Sequence, residues 1–346
     1  MKKSFISRVL VATGLFCGLL LAPSNNANAL QFALVAKRVD QAFFIRAGEG
    51  CAEAARAQGD TCLLLGASGT PHFRQQDEVL AQALDRDLDG IALSVTHSKW
   101  LADHALKRLD KMPLITFESD LGPDERHLRR AYVGPDNLAF GQRLGKLVQH
   151  FRPQGGDLCI LIGNRQDTGY QERLHGIRQQ LRSRSAESGE DARLKGENGW
   201  SEPERCPLFN ADNSRNTLAQ LVTLLRTRDV DTIISTASWP VFQTDSYRQR
   251  VGPLFADFKQ EGRRPTIVIA TQEPSSAQRA LLDDGLVQAY LSVDGYEVGR
   301  QCYWVLKRLS QGETVPERIL TDSHVLLPGG ASLPQPETSP SDRDLL

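Results

Sequence analysis

The sequence has no excess charge of either sign: 41 Lys and Arg stand against 42 Asp and Glu. That balance offers no electrostatic footprint for nucleic acid. Beyond residue 29 no apolar run is long enough to cross a bilayer. No pair of cysteines or histidines has zinc-site or CxxC redox spacing, and the seven histidines are scattered, which argues against a metal centre. The catalytic signatures GxSxG, GxxxxGK[ST] and HExxH are also missing, and no GxGxxG follows the first strand. Neither enzymatic chemistry nor a cofactor is therefore expected. A secreted α/β hydrolase is the one enzymatic alternative left.

What is present starts at the N-terminus. Lys2, Lys3 and Arg8 precede an almost wholly apolar stretch over 9–22, and Ala27-Asn28-Ala29 supplies a small-x-small cleavage signal. Residues 1–29 read as a signal peptide, which places the remainder in the periplasm. Cys17 does not make a lipoprotein signal, because Phe16 stands where a small residue is needed.

Five cysteines remain: Cys51, Cys62, Cys159, Cys206 and Cys302. In an oxidising compartment pairing is expected. Cys51 lies on a predicted first helix and Cys62 at the start of the next strand, close enough for a bridge. Cys159 and Cys206 lie on the first two predicted strands of the second half and are candidates for another. Cys302 is left as a small buried hydrophobe.

Apolar strand-length runs alternate with helix-period segments along the chain. The first half reads as strands at 31–36, 61–66, 90–95, 113–117 and 131–133, with helices at 43–57, 75–86 and 98–109. Val79, Leu80, Ala83 and Leu84 mark the buried face of the helix at 75–86. The second half reads as strands at 157–162, 205–209, 231–236, 266–270 and 287–293. Helices at 170–182, 214–227, 241–261, 275–283 and 296–310 alternate with them. Residues 183–204 read as a solvated surface excursion and 331–346 as a disordered tail.

The two halves echo each other. RDLDGIALSV at 86–95 matches RDVDTIISTA at 228–237, and KRLDKMPLITFESD, ending at Asp120, matches KQEGRRPTIVIATQE, ending at Glu273. Repeated βα units with apolar strands predict an α/β fold of two similar doubly wound parallel-sheet lobes. A ligand belongs in the groove between them, beyond the carboxyl ends of the strands.

Further pieces fall in a specific order: VDQAFF (39–44), LDGIALSVT (88–96), PLITFESD (113–120), VGPDNLAFGQRLG (133–145), YQERLHGI (170–177) and ALLDDGLVQAYLSVDGYEVG (280–299), with HVLLP closing the series. In this the chain resembles the type I periplasmic solute-binding proteins of the ribose- and galactose-binding group, from Gln31 to about Pro328. The lac-repressor group shares that fold, but a leader stands here where its DNA-binding helices would be.

The resemblance implies three crossings, near Gly134–Asn137, Val293–Asp294 and Thr321–His324. Lobe one would comprise 30–134 plus 294–321, and lobe two 138–292 plus 325–330. It also implies a sugar site. Phe43 or Phe44 would stack on a ring whose rim Asp40 or Gln41 bonds. Arg173 would reach hydroxyl or ring oxygens, and Glu118 stands where the family has an aspartate. Thr96 and His97 would line the cleft from lobe one. Ser238 stands where the family commonly has the aspartate of an Asn-Asp pair, Gln272 where an aspartate is usual, and Asp294 beside a family glutamine or asparagine position. Trp239 would supply a stacking or cation–π face in place of the lost polar groups. The expected role is a monomeric receptor serving the permease of an ABC importer. The alternative is a partner for the periplasmic domain of a sensor kinase or chemoreceptor.

Overall fold

A computed structural model describes residues 29–182 and 192–330. Residues 1–28 of the expected leader, the first part of the 183–204 excursion (183–191) and the tail lie outside the described residues.

Lobe one opens with β1 (Gln31–Val35), α1 (Ala42–Arg56), β2 (Thr61–Leu65), α2 (Phe73–Leu84), β3 (Gly90–Leu93) and the short α3 (Ser98–Asp103). Next come β4 (Leu114–Phe117) and β5 (Tyr132–Gly134). The chain then enters lobe two with α4 (Asn137–Phe151), β6 (Gly156–Ile162), α5 (Thr168–Leu181), β7 (Lys195–Glu197), β8 (Trp200–Ser201) and β9 (Leu208–Phe209). α6 (Ser214–Thr227), β10 (Thr232–Ser235), α7 (Thr244–Gln260), β11 (Thr266–Gln272), α8 (Ser276–Asp283) and β12 (Ala289–Val293) follow. α9 (Gly295–Ser310) and β13 (Arg318–Leu320) return to lobe one, and β14 (Ser323–Leu326) closes lobe two.

The six-stranded sheet runs β13-β5-β4-β3-β1-β2 and is parallel throughout. The second sheet has eight strands, β14-β12-β11-β10-β6-β8-β7, with β9 also paired to β6. Its central strands repeat the first order, so β3 and β4 correspond to β10 and β11. The two sequence echoes fall on those strands. Antiparallel β14 beside β12 is the last of three passages between the sheets. The two-lobed, three-crossing α/β fold is as expected.

Strands β1, β3, β4, β10 and β12 are almost completely buried, as expected for parallel strands covered by helices on both faces. The covering is close where helices meet. α1 rests on α9, and a Cβ added at Gly299 would lie 1.8 Å from the Ala47 carbonyl oxygen. α4 rests on α5 in the same manner, with the Gly141 position 2.2 Å from the Arg173 carbonyl oxygen.

Local departures from the sequence reading have local causes. The helix read at 98–109 stops at Asp103 and continues as a 3₁₀ turn, because His104 leaves helical geometry. The helix read at 241–261 begins at Thr244, since Pro240 holds Trp239–Val241 in a 3₁₀ turn. On α2, Gln76 rather than Val79 joins Leu80 and Ala83 in full burial. The periodic reading passed over α4, β13 and β14. The strand read at 205–209 shrinks to two residues after the cis Cys206–Pro207 bond. Part of 192–204 is not solvated at all: Leu194 and Trp200 are core residues, and Glu202 accepts two hydrogen bonds from Arg178.

Disulfides join Cys51 to Cys62 and Cys159 to Cys206, with Cα separations of 5.8 and 5.4 Å. Cys302 is free and buried.

Candidate functional site

The carboxyl ends of both sheets face each other, so residues just past the strands meet there. Lobe one supplies Lys37 after β1, Gln41, Phe43 and Phe44 at the start of α1, Ser94 after β3, and Glu118 and Ser119 after β4. Lobe two supplies Asp167, Tyr170 and Arg173 from the head of α5, Ala237 and Ser238 after β10, and Thr271 and Gln272 at the end of β11. Pro135 and Val293 come from two of the crossings.

Twelve of these residues line one cavity: Gln41, Phe43, Phe44, Glu118 and Pro135, with Tyr170, Arg173, Ala237, Ser238, Thr271, Gln272 and Val293 opposite. Counted at positions a water centre can take, it measures about 40 Å³, room for a few waters. The Phe43 and Phe44 rings meet edge to face at 5.3 Å, and Phe44 meets Phe117 likewise at 6.0 Å. Thr271 Oγ1 is buried without a hydrogen-bond partner among the described residues. Ser238 Oγ donates to Gln272 Oε1 at 3.2 Å.

Beside the cavity, the Lys37 ammonium lies 2.7 Å from Glu118 Oε2 and also bonds Asp167 Oδ2. It sits 4.9 Å from the centre of the Tyr170 ring, within cation–π range. Ser94 Oγ donates to Glu118 Oε2 at 2.8 Å, and Ser119 Oγ to Asp167 Oδ1 at 2.6 Å. Asp167 caps α5, accepting from the Tyr170 N–H at 3.3 Å, where the helix dipole favours negative charge. A lobe-one cation is thus shared between one carboxylate of each lobe.

Burial opposes the charge on Lys37, but Asp167 and Glu118 outweigh it and raise its pKa. Burial likewise opposes ionised Glu118, yet Lys37 and then Arg173 hold its carboxyl below the usual range. Asp167 moves the other way, because burial together with the Glu118 charge outweighs Lys37. Behind it, burial and then the charge of Asp167 push Asp212 up to about 7. Among the described residues Asp212 Oδ1 has no hydrogen-bond partner.

Glu118 itself has φ 63°, a left-handed conformation uncommon for this residue type. Its amide donates to Val133 O at 3.1 Å, while its carbonyl accepts from Tyr132 Oη at 3.1 Å and Asn137 Nδ2 at 3.0 Å. These bonds hold the turn that aims the carboxylate into the cleft. Gly134 is required beside it, at φ 151°, since a Cβ there would come within 2.8 Å of the Tyr132 hydroxyl.

Arg173 is buried. Nε donates to Asn137 Oδ1 and Nη1 to the Thr236 carbonyl, each at 2.8 Å, and the guanidinium lies 4.5 Å from the Phe140 ring centre. Nη2 makes no hydrogen bond within the described protein, and the side chain borders the cavity.

Of the residues expected at the site, Gln41, Phe43, Phe44, Glu118, Arg173, Ser238 and Gln272 border the cavity. Trp239 stands behind the wall, its ring edge-on to Tyr170 at 5.2 Å. Asp40 turns outward to Arg38 and the Gly69 amide. Thr96 bonds Gln76 through both its amide and its hydroxyl. His97 caps α3, and Asp294 caps α9 and borders a separate groove with His324. Lys37, Asp167, Tyr170 and Thr271 were not anticipated. Lys37 and Thr271 lie at strand ends, which was the available signal. Asp167 reads in sequence only as a helix cap. Among the described residues no group of His, Cys, Asp and Glu is arranged to hold a metal ion.

A family model described as a periplasmic binding protein domain matches residues 32–314. A search of curated proteins finds no sequence match. Among solved structures, the chain is similar to GanP, a glucose-galactose binding protein from Geobacillus stearothermophilus. That match has TM-score 0.69 and 19% identity, covering 87% of this chain and 98% of that one. An ABC transporter solute-binding protein from Agrobacterium vitis with bound D-fucose matches at TM-score 0.70 and 18% identity, over 86% and 95% of the two chains. A XylFII–LytSN complex matches at 0.64 and 18%, over 88% and 100%.

Proposed function

Because the chain belongs to the periplasmic binding protein domain family, we propose that it is a periplasmic receptor for a small polar solute, a sugar or sugar-like molecule. It captures the solute between its lobes by hinge closure, performs no chemistry on it, and delivers it to an ABC importer. The observation that carries this reading is the cavity between the lobes, which both build from strand ends. Phe43, Phe44 and Tyr170 offer flat apolar faces. Gln41, Glu118, Arg173, Thr271 and Gln272 offer donors and acceptors around them. A solute touching both walls stabilises the closed state, since only that state makes all the contacts at once. Solved relatives contain D-fucose and D-arabinose, which supports a carbohydrate-like solute. The leader read at 1–29 supports export to the periplasm, and we read the working form as a monomer.

The test is a thermal-shift screen over pentoses, hexoses, polyols and small amines. Binding to the native state alone raises the apparent melting temperature. One class should produce a concentration-dependent rise, and a flat response to all four would overturn the reading.

A second use is favoured by the XylFII–LytSN match, a relative solved together with another protein. The closed lobes would then present a composite surface to the periplasmic domain of a sensor kinase or chemoreceptor. Co-purification with a permease or with a sensor separates the two uses.

A further inference from the structure

The cavity between the lobes is small because protein groups already fill the space around it. Lys37 does not itself line it but stands directly behind two of its walls, bonded to Glu118 and set against the Tyr170 ring. The Lys37 side chain leaves the end of β1 in lobe one, is only 3% exposed, and ends between Glu118 of its own lobe and Asp167 of the other. Asp167 faces lobe one with its second oxygen as well, through Ser119 Oγ at 2.6 Å. Along the same seam Thr168 Oγ1 donates to the Asp120 carbonyl, and Arg126 Nη2 lies 3.5 Å from Glu172 Oε1. The head of α5 is thus tied to the turn after β4.

We propose that Lys37 is an internal occupant of the cleft: its ammonium bridges Glu118 and Asp167, clasps the lobes closed without solute, and restricts the cleft to solutes smaller than an aldohexose. The physical argument is that closure needs something bonded to both lobes at once. In an ordinary two-lobed receptor the solute does this. Here a covalently attached cation does it, without the translational entropy cost a free solute incurs. The aromatic wall adds to the effect, because Tyr170 of lobe two lies against the same ammonium. Opening the cleft would leave Lys37 with Glu118 alone and expose Asp167. Removing one partner of such a buried pair is strongly destabilising, because the other charge stays behind uncompensated. The size restriction rests on the receptor reading above; the clasp does not.

The decisive experiment combines small-angle scattering and calorimetry on the mature chain. Without added solute the wild type should already be mostly compact, opening only transiently to admit solute, so that solutes change its average radius of gyration little. Lys37→Ala should enlarge that radius while circular dichroism stays native. n-Propylammonium should then bind the variant saturably and restore the compact form, whereas n-propanol should do neither. Lys37→Met keeps the apolar stem without the charge and should also open, which removes dependence on whether the alanine variant folds. D-Glucose should bind Lys37→Ala at least tenfold more tightly than the wild type.

A wild type that is open without solute, or variants that remain compact, would overturn the clasp. Opening without rescue by the amine would overturn it too, by assigning the effect to lost packing. Equal D-glucose affinity in the two proteins would overturn the size restriction. A compact wild type that no solute stabilises would overturn the receptor reading and leave the clasp standing. An open wild type that does bind a solute would do the reverse.

Discussion

Arg173 Nε donates to Asn137 Oδ1 at 2.8 Å, and Asn137 Nδ2 donates in turn to the Glu118 carbonyl at 3.0 Å. The chain of bonds runs from α5 in lobe two, through the first crossing, to the strained turn that aims Glu118. Arg173 therefore braces the crossing as well as bordering the cavity.

Arg173→Ala should on that account be costly twice. Charged hydrogen bonds contribute about 1.5–3 kcal/mol each, so urea unfolding should show a loss of about 2–4 kcal/mol. Calorimetry with the solute found by screening should show at least a tenfold loss of affinity. Affinity lost with stability intact would mean that the bonds to Asn137 and Thr236 carry no structural load.

Asp212 should make stability depend on pH. Its carboxyl titrates at about 7 in the folded chain against 3.8 in the reference state. Between those values the folded state holds a proton that the unfolded state has released. Stability from this group therefore falls as pH rises from about 4 to 7, and the loss is complete above that. Asp212→Asn removes the titration, and asparagine tolerates the φ of 59° found there. The variant should be more stable than wild type at pH 8 by about 1–4 kcal/mol, with the difference shrinking toward pH 5. Urea unfolding across that range measures it, and a difference that does not change with pH would refute the assignment.

Two helical glycines should respond very unequally to alanine. At Gly299 the new methyl would lie 1.8 Å from the Ala47 carbonyl oxygen, so α1 and α9 must separate, at a cost of about 2–4 kcal/mol. At Gly252, in α7, a new methyl would meet no described atom within 4 Å beyond its chain neighbours and its own helix backbone. There the gain in helix propensity is offset by the crowding that Pro253 imposes on its predecessor, and the change should stay within about 0.5 kcal/mol. Thermal denaturation of both variants checks the contrast.

The two disulfides should contribute unequally. Sequence separations of 11 and 47 imply loop-entropy contributions of about 3 and about 4 kcal/mol. Cys159→Ser/Cys206→Ser should therefore lower the urea midpoint more than Cys51→Ser/Cys62→Ser. The opposite order would show that native-state packing outweighs chain entropy.

Most of the lobe architecture was legible in the sequence because its causes are local. Apolar runs such as QFALV and TIIS cannot be solvated, and their regular alternation with helical segments admits few packings. The echoes at 86–95 and 228–237 landed on corresponding strands because the same short pattern encodes the same βα unit. Helix α4 was missed although Asp136 and the periodic Phe140, Leu144 and Leu147 mark it. Short β13 and β14 have no such signal, being strands only because a neighbour pairs with them.

The site divides along the same line. That Phe43 and Phe44 open the helix after the first strand and Glu118 follows the fourth strand is a matter of chain order alone. Which side chains turn inward is not. Asp40 and Thr96 hold comparable positions, yet each found a nearer partner, in Arg38 and Gln76 respectively.

Composition, periodicity and internal repetition by themselves determined two α/β lobes and the edge at which they face each other, because burying apolar strands is a short-range demand. Only the tertiary structure decided that Lys37 and Asp167, 130 positions apart, would meet across the lobes. A buried charge is tolerated only where its counter-charge lies within a few ångströms, and that distance belongs to the folded chain.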